Sequence, residues 1–178
     1  MVYKYFTNRI LVSKIVLGTI IFLTLIFITG CVYSFTGSLP SHVKKVSVPL
    51  FENSTSFSGV NQDLTNKVVD QFVEDNTLEV TAESKADIII SGTIGSIIQR
   101  PAILSSGETA EQVETYQMVV NVKVKCEDIQ KNKVLWEKTI SEFGDMRADG
   151  SIDEQNAAIE VALNRITLDI LNNTLGYW

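Results

Sequence analysis

Between residues 116 and 127 the chain alternates residue by residue. Met118, Val120, Val122, Val124 and Cys126 fall on one side, and Asn121, Lys123, Lys125 and Glu127 on the other. A period of two belongs to an extended strand, whose successive side chains point to opposite faces. The segment is therefore a strand in a sheet with one covered face and one wet face. A slip of one residue would drive the polar set into the core, so the register is strongly specified. The polar stretch 128–133 then turns the chain into residues 134–140, an antiparallel partner in which Trp136 packs in the core or on the sheet face.

A sheet covered on one side needs a matching apolar layer, and two segments supply it. Val60, Leu64, Val68 and Phe72 recur every four residues, with Val69 and Val73 widening the stripe and Ser58 as N-cap. Ser151-Ile152-Asp153-Glu154 has the spacing of a capping box. The helix it opens carries Ile152, Ile159, Ala162, Leu163, Ile166 and Ile170 on one stripe. Three further strands are expected at 45–51, at 78–80 and at 86–98. Pro49 suggests an edge or an end for the first, and Gly92 and Gly95 a bulge or close approach in the last. Residues 52–59 and 99–112 read as loops. The order β-α-β-β-β-β-α predicts an α+β two-layer sandwich, two helices packed on one face of a mixed, largely antiparallel sheet.

The head of the chain belongs to a different class. Lys4, Arg9 and Lys14 precede the uncharged, mostly apolar run 15–29, with no acidic residue among the first thirty. A basic head, a short apolar middle and a small-residue end mark a secretory signal. Cys31 follows Ile28-Thr29-Gly30 directly, an order that resembles the lipobox of bacterial lipoproteins. That resemblance implies removal of residues 1–30 and attachment of diacylglycerol and a further acyl chain, such as palmitate, at Cys31. The competing reading is an uncleaved anchor. A spanning helix takes about 20 apolar residues, and residues 10–29 reach that only with Lys14 snorkelling. Several acyl chains, at about 0.8 kcal/mol per buried CH₂, would hold a soluble domain on a membrane. Residues 31–43, with Gly, Ser and Pro and no periodicity, form the lipidated N-terminus and tether, and 44–178 the folded domain. Val32, not Asp, after the cysteine resembles lipoproteins released to the outer membrane.

Without its first thirty residues the chain keeps 148 residues, enough for one core, with twelve Lys and Arg against twenty-one acids, a net charge of −9. That balance argues against nucleic acid, whose phosphates need clustered cations. With Cys31 lipidated, Cys126 has no disulfide partner, and its register makes it a buried thiol. His42, in the tether, is the only histidine, which removes serine and cysteine triads and histidine-rich metal sites. No P-loop, dinucleotide glycine pattern or paired-cysteine spacing is present. Glu108, Glu111 and Glu114 read as solvated surface, and nothing selects a catalytic carboxylate pair. The chain reads as a binding protein rather than an enzyme, with no metal and no cofactor beyond its covalent lipid.

Several blocks point to one family. Tyr33-Ser34-Phe35-Thr36-Gly37-Ser38-Leu39-Pro40 precedes Val43-Lys44-Lys45-Val46-Ser47-Val48-Pro49-Leu50-Phe51-Glu52-Asn53. Ala86-Asp87-Ile88-Ile89-Ile90-Ser91-Gly92-Thr93-Ile94 and Lys133-Val134-Leu135-Trp136-Glu137 follow in the same order. Together they resemble the LptE family, the lipoprotein subunit of the outer-membrane lipopolysaccharide translocon. The resemblance implies an outer-membrane protein on the periplasmic side, its domain inserted in the lumen of the β-barrel LptD. It would assist barrel assembly and meet lipopolysaccharide through basic side chains. The basic residues available are Arg100, Lys131, Lys133 and Arg147, each of which also reads as an ordinary solvated charge; the face of Lys123 and Lys125 is open to contacts as well. Tyr177-Trp178 fits a membrane interface or a chain end folded back on the core. A different periplasmic lipoprotein with a related domain, of the curli-secretion or TolB-N-terminal kind, is the alternative. The net charge of −9 favours barrel assembly over direct lipid binding.

Overall fold

The computed structural model describes residues 40–102, 115–147 and 150–176, all within the unit Thr36–Trp178. Along them run β1 (Lys45–Ser47), β2 (Glu52–Asn53), α1 (Val60–Asp75), β3 (Glu79–Val80), a 3₁₀ turn (Glu83–Lys85), β4 (Ile88–Pro101), β5 (Thr115–Asp128), β6 (Lys133–Arg147) and α2 (Ile152–Leu175). The strands form one six-stranded sheet in the order β3-β1-β4-β5-β6, with β2 also pairing β4. The long strands β4, β5 and β6 are antiparallel, and the short ones pair in parallel. Both helices bury their stripes in the core that Val120, Val122, Val124 and Cys126 line. This is the expected α+β two-layer sandwich.

The strand expected at 45–51 ends early at Ser47, and a second short strand opens the stretch 52–59 expected to be all loop. Pro49 has no N–H to give a ladder, so β1 stops at Ser47 and the chain rejoins β4 further along, Glu52 opposite Thr93. Phe51, buried in the gap, finds its backbone partners on α1. Its N–H donates to Thr65 Oγ1 at 3.1 Å, and its carbonyl accepts from Asn61 Nδ2 at 3.2 Å. A buried peptide group without a ladder must be paired by side chains, and this need explains a buried threonine on the apolar stripe of α1. Beyond β2 the polar stretch is a loop tied by Asn53, whose Oδ1 accepts from the Thr55 N–H at 2.9 Å and whose Nδ2 donates to the Phe57 carbonyl at 2.7 Å.

The helices differ from expectation at their ends. Gly59, at φ 84°, caps α1 in place of Ser58, and no side chain bonds there; the left-handed turn favours a residue without Cβ. Val60, Leu64, Val68 and Phe72 are buried, whereas Val73 is 59% exposed and does not widen the stripe. In α2 the Ser151 hydroxyl accepts from the Glu154 N–H at 3.3 Å. Only half of the capping box forms, because the Glu154 carboxylate turns to Arg147, whose Nε donates to it at 3.1 Å. Ile152, in the first turn, is 74% exposed and lies off the buried stripe.

Along β4 the register shifts between Ile94 and Ser96, so the bulge falls at Gly95. Gly92 serves the other role. A Cβ there would lie 2.7 Å from Phe51 Cε1 and 2.5 Å from the Lys123 carbonyl oxygen. Arg100 and Pro101 extend β4 instead of opening the loop. The outer face is not wholly wet: Val119 is 2% exposed, opposite Ile98 and Phe143.

Trp136 is a core residue, 6% exposed, and its buried indole N–H has no partner. A buried donor left unpaired costs about 1–3 kcal/mol. Trp136→Phe removes that donor but leaves some volume unfilled, so the expected change in unfolding free energy is small, within about 1 kcal/mol. Equilibrium denaturation checks this, and a loss typical of a truncated core aromatic contradicts it.

Candidate functional site

The open face of the sheet carries a groove of about 540 Å³ where the β1–β2 connection passes β4. Pro49, Leu50 and Glu52 form one wall, Gly92 and Thr93 the floor, and Lys123, Lys125 and Glu137 the other wall. The alternation of β5 puts both lysines on this face. Lys123 Nζ lies 2.6 Å from Glu137 Oε1, Lys125 Nζ lies 2.9 Å from Glu127 Oε2, and Thr93 Oγ1 donates to Glu52 Oε2 at 3.0 Å. The hydrogen bond from Lys123 holds the Glu137 carboxyl below its ordinary range, and the one to Glu127 pushes the Lys125 ammonium up. The Lys123–Glu137 pair is solvent-exposed and the Lys125–Glu127 pair half-exposed, so a phosphate or a partner's carboxylate can displace them. The groove offers exchangeable cations but no surplus of positive charge.

The four basic residues singled out in the sequence do not converge. Arg100 and Arg147 lie at the end of the sheet where β5 begins, opposite Gln117 and Thr115. Lys131 and Lys133 lie at the β5–β6 turn, the far end of a 14-residue strand. At about 3.3 Å per residue the two pairs stand roughly 36–43 Å apart along the strand. Arg147 is already bound to Glu154. The lipidation residue Cys31 lies outside the described residues, as do Glu108, Glu111, Glu114, Tyr177 and Trp178.

Sequence reasoning left His42 in the tether, but the structure ties it to the domain. Its Nε2 is 2.8 Å from Asp128 Oδ2, whose side chain is fully buried, while Asp128 Oδ1 accepts from the Lys131 N–H at 2.9 Å. Beside it Asp87 Oδ2 accepts from the N–H groups of Lys44 and Lys45, both at 2.9 Å, and Oδ1 from Gln130 Nε2 at 2.8 Å. Val43 is buried next to them. The two carboxylates thus clamp the entering chain onto the β5–β6 turn. The missed signal was the pair of aspartates bracketing the strand ends at 87 and 128, which is invisible until β4 and β5 are placed side by side.

Burial alone would raise the Asp128 pKa, but hydrogen bonds from His42 and the Lys131 backbone outweigh it and hold the group below the ordinary 3.8. Asp87 is lowered by the Lys44 backbone N–H first, against a smaller desolvation. Groups with depressed folded-state values stabilise the fold above their unfolded pKa, and that stability is lost as pH falls through the folded value. Unfolding free energy should hold level down to about pH 5 and then decline below about pH 4, less steeply in Asp128→Asn. Denaturant titrations across that range measure it; equal slopes in both proteins would refute the clamp's part.

Cys126 is fully buried, and burial pushes its thiol up to about 12. The thiolate is the reactive form, so folded protein should react with a thiol reagent at mildly alkaline pH only as fast as it unfolds. Labelling at the rate of denatured protein would contradict this. No group of His, Cys, Asp and Glu able to hold a metal occurs among the described residues.

Comparison with known proteins completes the description. The family model LptE, described as lipopolysaccharide-assembly, matches residues 43–174. No curated protein sequence matches the chain. Among solved structures, a Chlamydia trachomatis protein superposes with a TM-score of 0.58 at 12% identity, covering 76% of this chain and 97% of that one. A Xanthomonas campestris protein gives a TM-score of 0.54 at 12% identity, covering 78% and 90%. At these identities the likeness is one of fold.

Proposed function

Since the chain belongs to the LptE lipopolysaccharide-assembly family, we propose that it is an outer-membrane lipoprotein, anchored by lipid at Cys31, that plugs an LptD-type β-barrel. It helps that barrel assemble and assists lipopolysaccharide on its way to the cell surface. Membership supports an envelope lipoprotein with no catalytic role, and the remainder is our reading. The observation that carries it is the open sheet face. A plug in a polar lumen needs an exterior of hydrophilic groups whose bonds can be exchanged. Lys123, Lys125, Glu127 and Glu137 supply such bonds in two ion pairs open, wholly or in part, to solvent.

Barrel assembly is better supported than lipid contact at Arg100, Lys131, Lys133 and Arg147. Those cations sit at opposite ends of the sheet, and each pair could meet a phosphate only by itself. On this reading the lipid-tethered domain sits on the periplasmic side of the outer membrane and in the barrel lumen. Depletion of the chain in its own cells tests the reading. Mature barrel and surface lipopolysaccharide should both fall; unchanged surface lipopolysaccharide would overturn the assignment.

A further inference from the structure

The chain enters the domain through a short dock at the end of β5. A turn closes between Pro40 and Val43, the Val43 N–H donating to the Pro40 carbonyl at 2.9 Å, and the Val43 side chain is buried. Within that turn His42 Nε2 reaches Asp128 Oδ2 at 2.8 Å. Just downstream, Asp87 accepts the N–H groups of Lys44 and Lys45. The two acids therefore hold different things. Asp87 grips backbone amides, which do not titrate near neutral pH. Asp128 grips a histidine side chain. Among the described residues, that bond and the burial of Val43 are what hold 40–43 to the sheet.

The strength of the bond depends on the charge of the ring. The Asp128 side chain is fully buried, and a buried carboxylate needs a cation or several donors. It has the Lys131 N–H and His42. The carboxyl is held below its ordinary range, so it stays ionised throughout the neutral range. Around the imidazole stand Asp87 at the start of β4, Asp128 at the end of β5 and Lys131 in the β5–β6 turn. Lys44 and Lys45 follow in the chain, the latter 3.7 Å from Glu79, and Glu127 is bonded to Lys125. Two carboxylates against one nearby ammonium bind the charged ring more strongly than the neutral one. Histidine changes charge between about pH 5 and 8. A neutral ring keeps the hydrogen bond through an Nε2–H, but charge-assisted bonds are about twice as strong.

We infer that His42 and Asp128 form a proton-operated latch on the tether, closed while the ring is protonated and released as pH rises through the histidine range. The sign follows from the charged form being the one held: the contribution is present at mildly acid pH and lost toward alkaline pH. Opening frees residues 40–43 while Asp87 keeps Lys44 and Lys45 in place. Four extended residues lengthen the tether by about 13 Å. The consequence, a domain that stands closer to its lipid at acid pH, rests on the proposed attachment at Cys31; the latch itself does not.

The test uses the mature, lipidated chain in mild detergent, with spin labels at S41C in the turn and T139C on β6, both exposed positions. Cys126 is buried, and with Cys31 lipidated only the introduced cysteines take label. A third label per chain, found by mass, would contradict the anchor reading and not the latch. At pH 6 one narrow distance is expected. Toward pH 8 a second, broader component should grow, raising the ratio of open to closed about tenfold. His42→Gln keeps a donor for Asp128 without a titrating charge, so its distances should not change with pH. A control pair within the domain, E83C with T139C, should stay fixed. Distances unchanged between pH 6 and pH 8, a pH response retained in His42→Gln, or equal movement of the control pair would each overturn the inference.

Discussion

Gly144→Ala should lower the stability of the domain by about 3 kcal/mol or more, a fall of roughly 10 °C in Tm. A Cβ at this position would lie 2.0 Å from the carbonyl oxygen of Ala158 and 2.8 Å from its Cα. Both obstacles are backbone, so no rotamer change relieves the clash. Relief requires α2 to move off β6, along a helix whose Ala158, Ala162, Leu163 and Ile166 are buried in the core. The small residues Ala158 and Gly144 together set how closely helix and sheet approach. Overpacking of a filled core normally costs about 1–3 kcal/mol, and a rigid backbone obstacle belongs at the top of that range or above it. Gly95→Ala is the control: the nearest atom to its Cβ would be 3.8 Å away, and little change is expected. Thermal and denaturant unfolding of the two variants measure the difference, and equal stabilities would show that the α2–β6 contact is looser than described.

Cys31→Ser should abolish fatty-acid incorporation and leave the signal segment attached. On the proposed reading the Cys31 thiol is the nucleophile that takes the diacylglycerol, and a hydroxyl would not replace it. The chain would lose its lipid anchor. Radiolabelled palmitate and the mass of the mature chain read this out. Normal processing of the serine variant would defeat the lipoprotein assignment.

The sandwich was legible because its strongest patterns are one-sided: the alternation of 118–126 and the four-residue spacing of 60–72 each name a single buried face. What the sequence concealed depends on pairing at a distance. Nothing local shows that Pro49 splits a strand, since the rescue of Phe51 comes from Thr65 and Asn61 on another element. Val73 and Ile152 fit an apolar stripe by spacing but lie at helix ends, where no layer covers them. The clamp of His42 by Asp128 joins residues 86 positions apart. The basic residues sought as one lipid-contacting group illustrate the same limit. Charge count found them, but only the register of β4, β5 and β6 reveals that they occupy two ends of the sheet.

The central claim is a plug for a barrel, and gentle detergent extraction of tagged full-length chain from its own membranes tests it most directly. Mass identification of whatever accompanies the chain should return a large outer-membrane β-barrel in equal proportion. Recovery of the chain alone, or only as rings of itself, would contradict the account.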